Sequence, residues 1–145
     1  MLTRVEIEAT EGSAGTCKAM FNPKELTINK SVSWEAKDAH QEDPKAEFTK
    51  PQPTKLSCTL YFDTYETKAD VYGHVAPLEN MARMDPALKR PPLCLFKWGK
   101  FVFKGVVTEM NQKYTMFLDD GTRVRCEVSL GMQAASLAVV SVKGA

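Results

Sequence analysis

Hydrophobic and polar residues alternate along most of this chain. In LTRVEIEA, Val5, Ile7 and Ala9 share one face while Arg4, Glu6 and Glu8 share the other, which predicts a half-buried strand. EGSAG (11–15) is a turn, and TCKAMF (16–21) alternates again with Cys17, Ala19 and Phe21 inward. A second turn follows at NPKE (22–25), where Pro23 cannot donate to a ladder. From Leu26 to Trp34 the inward series is Leu26, Ile28, Lys30, Val32 and Trp34, and Lys30 marks a bend or an edge. LSCTLYFDT (56–64) is the cleanest strand, with Leu56, Cys58, Leu60 and Phe62 on one side.

After residue 64 the period changes. Val71, Val75, Leu78 and Met81 recur at helical spacing, so one helix is expected there. Thr67 and Asp70 resemble a capping box with Asp in place of Glu. Pro77 opposes the carbonyl of Gly73, predicting a kink or two short helices, and Asp85-Pro86 is the expected stop. Two hairpins follow. Gly99-Lys100 is a Gly-X loop of type II′ that pairs Trp98 with Phe101 and Phe96 with Phe103. Asp120-Gly121 reads as a type I′ turn that sets Phe117 opposite Val124. The last long strand turns Thr122, Val124, Cys126, Val128 and Leu130 inward and Arg123, Arg125, Glu127 and Ser129 outward. The tail 131–145 has room for a short final strand.

Seven or eight strands and one helix predict a mainly β fold, an antiparallel barrel or sandwich with the helix on an opening or side. At 145 residues the chain is expected to form a single domain over 1–145. One stretch stands apart. Residues 36–55 are polar, hold three prolines and a single aromatic, Phe48, and read as a long loop.

The segment LFKWGKFVFKG (95–105) interleaves aromatics with lysines, a composition that also suits a single-strand nucleic-acid platform. Such a platform needs rings and cations on one exposed face. Here Phe96, Trp98, Phe101 and Phe103 share one face, and Leu95, Lys97, Val102 and Lys104 the other. The hairpin therefore reads as core-forming. A net charge of +1 also argues against a dedicated duplex binder, so no nucleic-acid partner is expected.

Little else points to chemistry. There is no nucleophile elbow, no phosphate-cradling glycine loop and no HExxH pattern. Cys17, Cys58, Cys94 and Cys126 are dispersed among apolar neighbours and read as reduced core thiols. His40 and His74 stand alone and read as solvated. No catalytic, cofactor-binding or metal-binding residue is expected, and the chain reads as a non-enzyme. The first ten residues lack a signal-peptide pattern, and no apolar run reaches membrane-spanning length, so no membrane anchor is expected.

The order of FNPKEL (21–26), LYFDT (60–64), the short helix, RPP (90–92), LFKWG (95–99), FKGVV (103–107), YTMF (114–117) and DGTRVRCEVSL (120–130) resembles the tube-type domain of contractile injection systems, the phage-tail-like particles. It is similar in particular to the baseplate tube-adaptor group, many members of which carry a C-terminal LysM module. This sequence ends at SVKGA without room for that module. The resemblance implies a structural role: two antiparallel sheets in a barrel-like sandwich, six copies in a ring, and neighbouring strands joined into one inner wall. The ring would link the spike to the stacked tube rings. The implied partners are a second copy, the inner-tube protein, the spike and other baseplate proteins. Synthesis and assembly would be cytoplasmic, followed by incorporation into the particle. Candidate assembly contacts are Phe48 and Lys50 in the 36–55 arm and the outward Arg123 and Arg125. A small ligand-binding β-barrel is the main alternative, with single-stranded nucleic-acid binding behind it.

Overall fold

The computed structural model describes residues 3–30, 34–36, 46–48 and 53–134. Its elements are β1 (Glu6–Ala9), β2 (Thr16–Lys18), β3 (Leu26–Asn29), β4 (Trp34–Ala36), β5 (Ala46–Phe48), β6 (Lys55–Asp63), α1 (Tyr72–Met81), β7 (Cys94–Trp98), β8 (Phe101–Phe117) and β9 (Arg123–Ala134). Seven strands form one antiparallel sheet in the order β2-β1-β7-β8-β9-β6-β3, and β4 and β5 form a separate two-stranded pair. The mainly β fold with one helix is as the alternation predicts. A single sheet supplies the wall in place of two stacked sheets.

The sheet curls because one segment serves both of its edges. β2 pairs with β1 at the first edge, and β3 pairs with β6 at the last. Between them Phe21 bridges Tyr61 of β6. Residues 16–29 thus carry the chain from β1 to β6 through two short strands and one isolated bridge, and bring the two edges together. The corner lies in the Asn22-Pro23 step. Asn22 Oδ1 accepts from the Val5 N–H at 3.0 Å, and Asn22 Nδ2 donates to the Thr3 carbonyl at 2.8 Å. Asn22→Ala leaves the Val5 N–H without that acceptor, and should cost about 1–2 kcal/mol in a urea titration. An unchanged midpoint would show that the corner does not depend on this side chain.

α1 packs against β2, β8 and β9 and closes the enclosed core. Its stripe is the expected one: Val71, Val75, Leu78 and Met81 are all fully buried. They meet Phe62, Phe96, Leu60 and Ile7 in a continuous core. Burial of each such side chain contributes about 1.5–3 kcal/mol. The helix runs uninterrupted from Tyr72 to Met81 with Pro77 inside it, so the reading as two short helices does not hold. No capping box forms. Asp70 Oδ1 instead accepts from the Tyr72 N–H at 3.0 Å, and Thr67 Oγ1 donates to the Thr64 carbonyl. The helix ends at Met81, ahead of Asp85-Pro86.

The first hairpin has the expected register, with Trp98 opposite Phe101 and Phe96 opposite Phe103. Gly99 takes φ +63°, as the first position of a II′ turn requires. The second hairpin differs. Asp120 is not among the positive-φ residues, so the turn is not type I′. Gly121 N–H donates to the Leu118 carbonyl at 2.9 Å and Leu118 N–H to the Thr122 carbonyl at 2.8 Å. This is a three-residue loop ending in a left-handed glycine, and it slips the register by one, so Phe117 faces Arg123.

Phe21 is 52% exposed, not inward, because the corner rotates it away from β2. β3 stops at Asn29, and Ile28 and Lys30 are exposed on this thin edge. The predicted loop 36–55 is interrupted by β5, whose Ala46, Glu47 and Phe48 pair with Ala36, Glu35 and Trp34. Val32, His40, Lys50 and the tail 135–145 lie outside the described residues.

Candidate functional site

The interior holds no ligand chamber among the described residues. Phe62, Phe96, Leu56, Leu60, Leu78 and Met132 fill the barrel at under 2% exposure. That packing removes the ground for the ligand-binding barrel. The aromatic hairpin faces the same core. Phe96 and Phe103 are buried, Trp98 and Phe101 are half-buried, and Phe101 meets Phe96 edge to face at 6.1 Å. Lys97 turns the other way and pairs with Glu8. Rings and cations are separated, as the parity argument expects.

What remains is surface, and three features of it are built. The first is the outer face of β3, β6, β9 and β8, which forms a groove of about 730 Å³. Thr27, Ser57, Thr59, Ser129 and Asn111 give it hydroxyl and amide groups, and Tyr61 also lines it. Alternation along β6 and β9 places these residues opposite the core set.

The second is the open edge. β2 has α1 packed beside it, with the Cys17 thiol 3.6 Å from the His74 carbonyl. β3 pairs with β6 and has no neighbour on its other side among the described residues. An unpaired edge is a template for another strand. The β4–β5 pair follows directly after it in the chain.

The third is the pair of arginines at the start of β9. Arg125 binds Asp63 at 3.0 Å on the neighbouring strand, with its side chain 46% exposed. Arg123 binds Asp70 at 3.0 Å and lies over two rings, 4.8 Å from Tyr72 and 5.3 Å from Tyr114. The Val71 N–H also donates to the Arg123 carbonyl at 2.8 Å. Arg123 therefore clamps the start of α1 to the sheet. Of the candidate contacts, Arg123 and Arg125 come together on β9, Phe48 lies apart on β5, and Lys50 is outside the described residues.

The acids in these pairs titrate low. The hydrogen bond from Arg123 holds Asp70 below its ordinary value of 3.8. The Tyr65 N–H and then Arg125 do the same for Asp63. The hydrogen bond from Arg90 lowers Glu11 below 4.5. A carboxylate depressed in the folded state stabilises it above the unfolded pKa, and that contribution disappears as pH falls through the folded value. Urea midpoints should therefore hold steady from pH 7 to 5 and drop below about pH 4. A midpoint that is flat down to pH 2.5 would show that these pairs do not contribute.

Burial pushes the Cys17 and Cys94 thiols up to about 12 and Cys58 to about 11, and all four cysteines are free. They are core thiols, with Cys58 only half-buried. His74 is exposed on α1. Among the described residues no three His, Cys, Asp or Glu side chains gather as a metal site would require.

Pattern reading missed two ties. Asn22 holds the FNPKEL corner, and Glu11 accepts from the Leu93 N–H at 3.0 Å while pairing with Arg90 of the RPP segment. Both bridge residues far apart in sequence, and neither breaks a local pattern. They explain physically why those two short motifs stand where they do.

No helix of the described residues is long and apolar enough to cross a membrane. No curated protein matches the chain. A family model, that of the contractile injection system tube protein, matches residues 1–139. The match covers the whole barrel, its helix and the β4–β5 pair, so the chain belongs to the contractile injection system tube protein family and has a structural role in such a system.

Proposed function

We propose that this subunit forms a baseplate ring that connects the spike to the inner tube. The observation that carries the reading is the uneven treatment of the sheet edges in a tube-family chain. Among the described residues, one terminal strand, β2, has the helix packed against it, and the other, β3, has no neighbour beyond β6. A ring of identical copies uses heterologous contacts, in which one patch meets a different patch on the next copy and the rotation closes. An open edge on one flank suits such a contact, because a neighbouring strand satisfies its free N–H and C=O groups.

In this reading six copies close the ring. The β4–β5 arm, with Phe48 and Lys50, reaches the neighbouring subunit or ring. Arg125, half free beside Asp63, contributes to the wall. Arg123 acts through the helix that it clamps. The work is mechanical, with no catalytic step. Synthesis and assembly take place in the cytoplasm, and the ring then stays with the particle.

Co-expression with the inner-tube and spike proteins, followed by light scattering, tests this. A ring-sized species containing the chain is expected, and its yield should fall several-fold for Phe48→Asp. A chain that stays monomeric beside both partners under conditions where they assemble would overturn the proposal.

A further inference from the structure

The ring reading leaves open whether the barrel enters the assembly closed. The seam where residues 16–29 close it is the thinnest part of the sheet. β2 contributes three cross-strand pairs and β3 four, against nine between β6 and β9. Between Phe21 and Leu26 the chain leaves β6, so the β6 ladder on that side runs only over Lys55–Cys58 plus the single bridge at Tyr61. Burial is equally sparse. Leu26 is half-buried, while Thr27, Ile28, Asn29 and Lys30 are exposed, Ile28 to 38%.

The other side of the ladder is the opposite case. Leu56, Leu60 and Phe62 of β6 are fully buried, and the strand is locked to β9 along its whole length. Among the described residues, no ion pair involves residues 19–30, and the side-chain hydrogen bonds of this stretch come from Asn22. The fastening is thus at the corner, and the strand beyond it is held by four pairs of backbone contacts. Few buried apolar contacts and an exposed ladder are the physical marks of a segment that opens locally.

We propose that β3 is a strap that detaches from β6 about the Asn22-Pro23 corner, and that its release exposes the β6 edge to a strand of a second copy during ring formation. The proposal rests on the ring reading above and changes where the neighbouring strand lands, on β6 once β3 has swung out and not on the outer side of β3. Its physical logic is replacement. A strand paired continuously over Lys55–Tyr61 satisfies more of the β6 edge than β3 does, since β3 leaves the stretch between Cys58 and Tyr61 unpaired. The corner holds the strap nearby, so an unassembled subunit keeps its own edge covered and does not pair at random.

Native-state hydrogen exchange provides the first test. The slowest amide of residues 26–29 should exchange at least about 100-fold faster than the slowest amides of residues 124–132. Equal protection in the two stretches would overturn the proposal.

A lock provides the second. Leu26 lies directly opposite Cys58 in the ladder. Opposed residues in an antiparallel pair are about 4.5–5.5 Å apart at Cα, within reach of a disulfide. Leu26→Cys therefore places a second thiol against the native one. Oxidised Leu26→Cys should enter rings with tube and spike proteins at least about 10-fold less than the same protein after reduction. Leu26→Cys in a Cys58→Ser background cannot form the lock and should assemble in either redox state. If the oxidised, cross-linked protein assembles as well as the reduced protein, the strap does not need to open. If the reduced protein and the Cys58→Ser control also fail, while exchange at residues 26–29 is fast, the ring reading fails and the mobile strap stands.

Discussion

Phe96→Ala is expected to lower stability by about 4 kcal/mol. Phe96 is fully buried in the middle of β7 and faces Ile7 on one side and Phe103 on the other. Phe101 packs its ring edge to face against it. Truncation opens a cavity between three strands that are already tied to further neighbours, so the walls cannot collapse to fill it. For a chain of this size about 4 kcal/mol corresponds to a fall in Tm of roughly 8–16 °C. Lys104→Ala, on the opposite face of the same hairpin, should stay within about 0.5 kcal/mol of the parent. Thermal melts of the two variants check the parity argument directly. Similar losses from both would show that the hairpin does not sort its residues as described.

The second large effect comes from an absent side chain. Gly105→Ala should cost about 3 kcal/mol. Gly105 lies in β8 between Cys94 of β7 and Ala134 of β9. A Cβ built there overlaps the backbone carbonyl of Gln133, and a backbone atom inside a paired strand cannot swing aside as a side chain can. Gly131 offers the comparison. Its added Cβ meets the Glu109 side chain, with Cβ at 3.1 Å and Oε1 at 3.3 Å. The carboxylate end can swing aside and the Glu109 Cβ has to yield only a few tenths of an ångström, so Gly131→Ala should cost about 1 kcal/mol. Chemical denaturation of the two alanine variants should separate them clearly. Equal and small losses would mean that β8 and β9 shift apart easily at Gly105.

These two positions also show what the sequence made legible. Phe96 could be found by parity alone, because period-2 alternation assigns a face without knowledge of the partner strand. Alternation likewise located the inward sets of β6 and β9, and helical spacing located the α1 stripe. Gly105 could not be found that way. Its constraint comes from Gln133, which is 28 positions away by sequence number and touches it only after the sheet forms. Asn22 and Glu11 escaped for the same reason, since each satisfies backbone groups brought near by the barrel.

Where local reading failed, geometry at strand ends or bulges is responsible. In β8 a register shift between Val107 and Glu109 inverts the parity. Phe103, Gly105 and Val107 face the core before it, and Met110 and Tyr114 pack toward the core after it. A bulge adds one residue without any change in composition, so alternation carried across it mis-assigns a face. Phe117 was displaced by one position through the choice between a two-residue and a three-residue loop around Asp120-Gly121, a choice that dipeptide identity does not decide. Edge residues such as Phe21 and Ile28 alternate correctly yet stay exposed, because no described residue packs over them at the end of the sheet.

The candidate contacts divide along similar lines. Arg123 and Arg125 read as outward by parity, and both are partly exposed. Only contact geometry shows that Arg123 is held by Asp70 and two tyrosines while Arg125 answers Asp63 across one ladder. The long polar stretch 36–55 was conspicuous by composition, but the pairing of β4 with β5 inside it was not, since three-residue strands carry too few positions to show a period.

The central claim is that this tube-family chain is a ring-forming subunit between spike and tube. Electron cryomicroscopy of intact particles, with the chain marked by an antibody fragment, tests it most directly. The account predicts a single ring of six labels at the junction of the spike and the first tube ring. Particles that carry no label there, or that carry the label outside the tube axis, would contradict it.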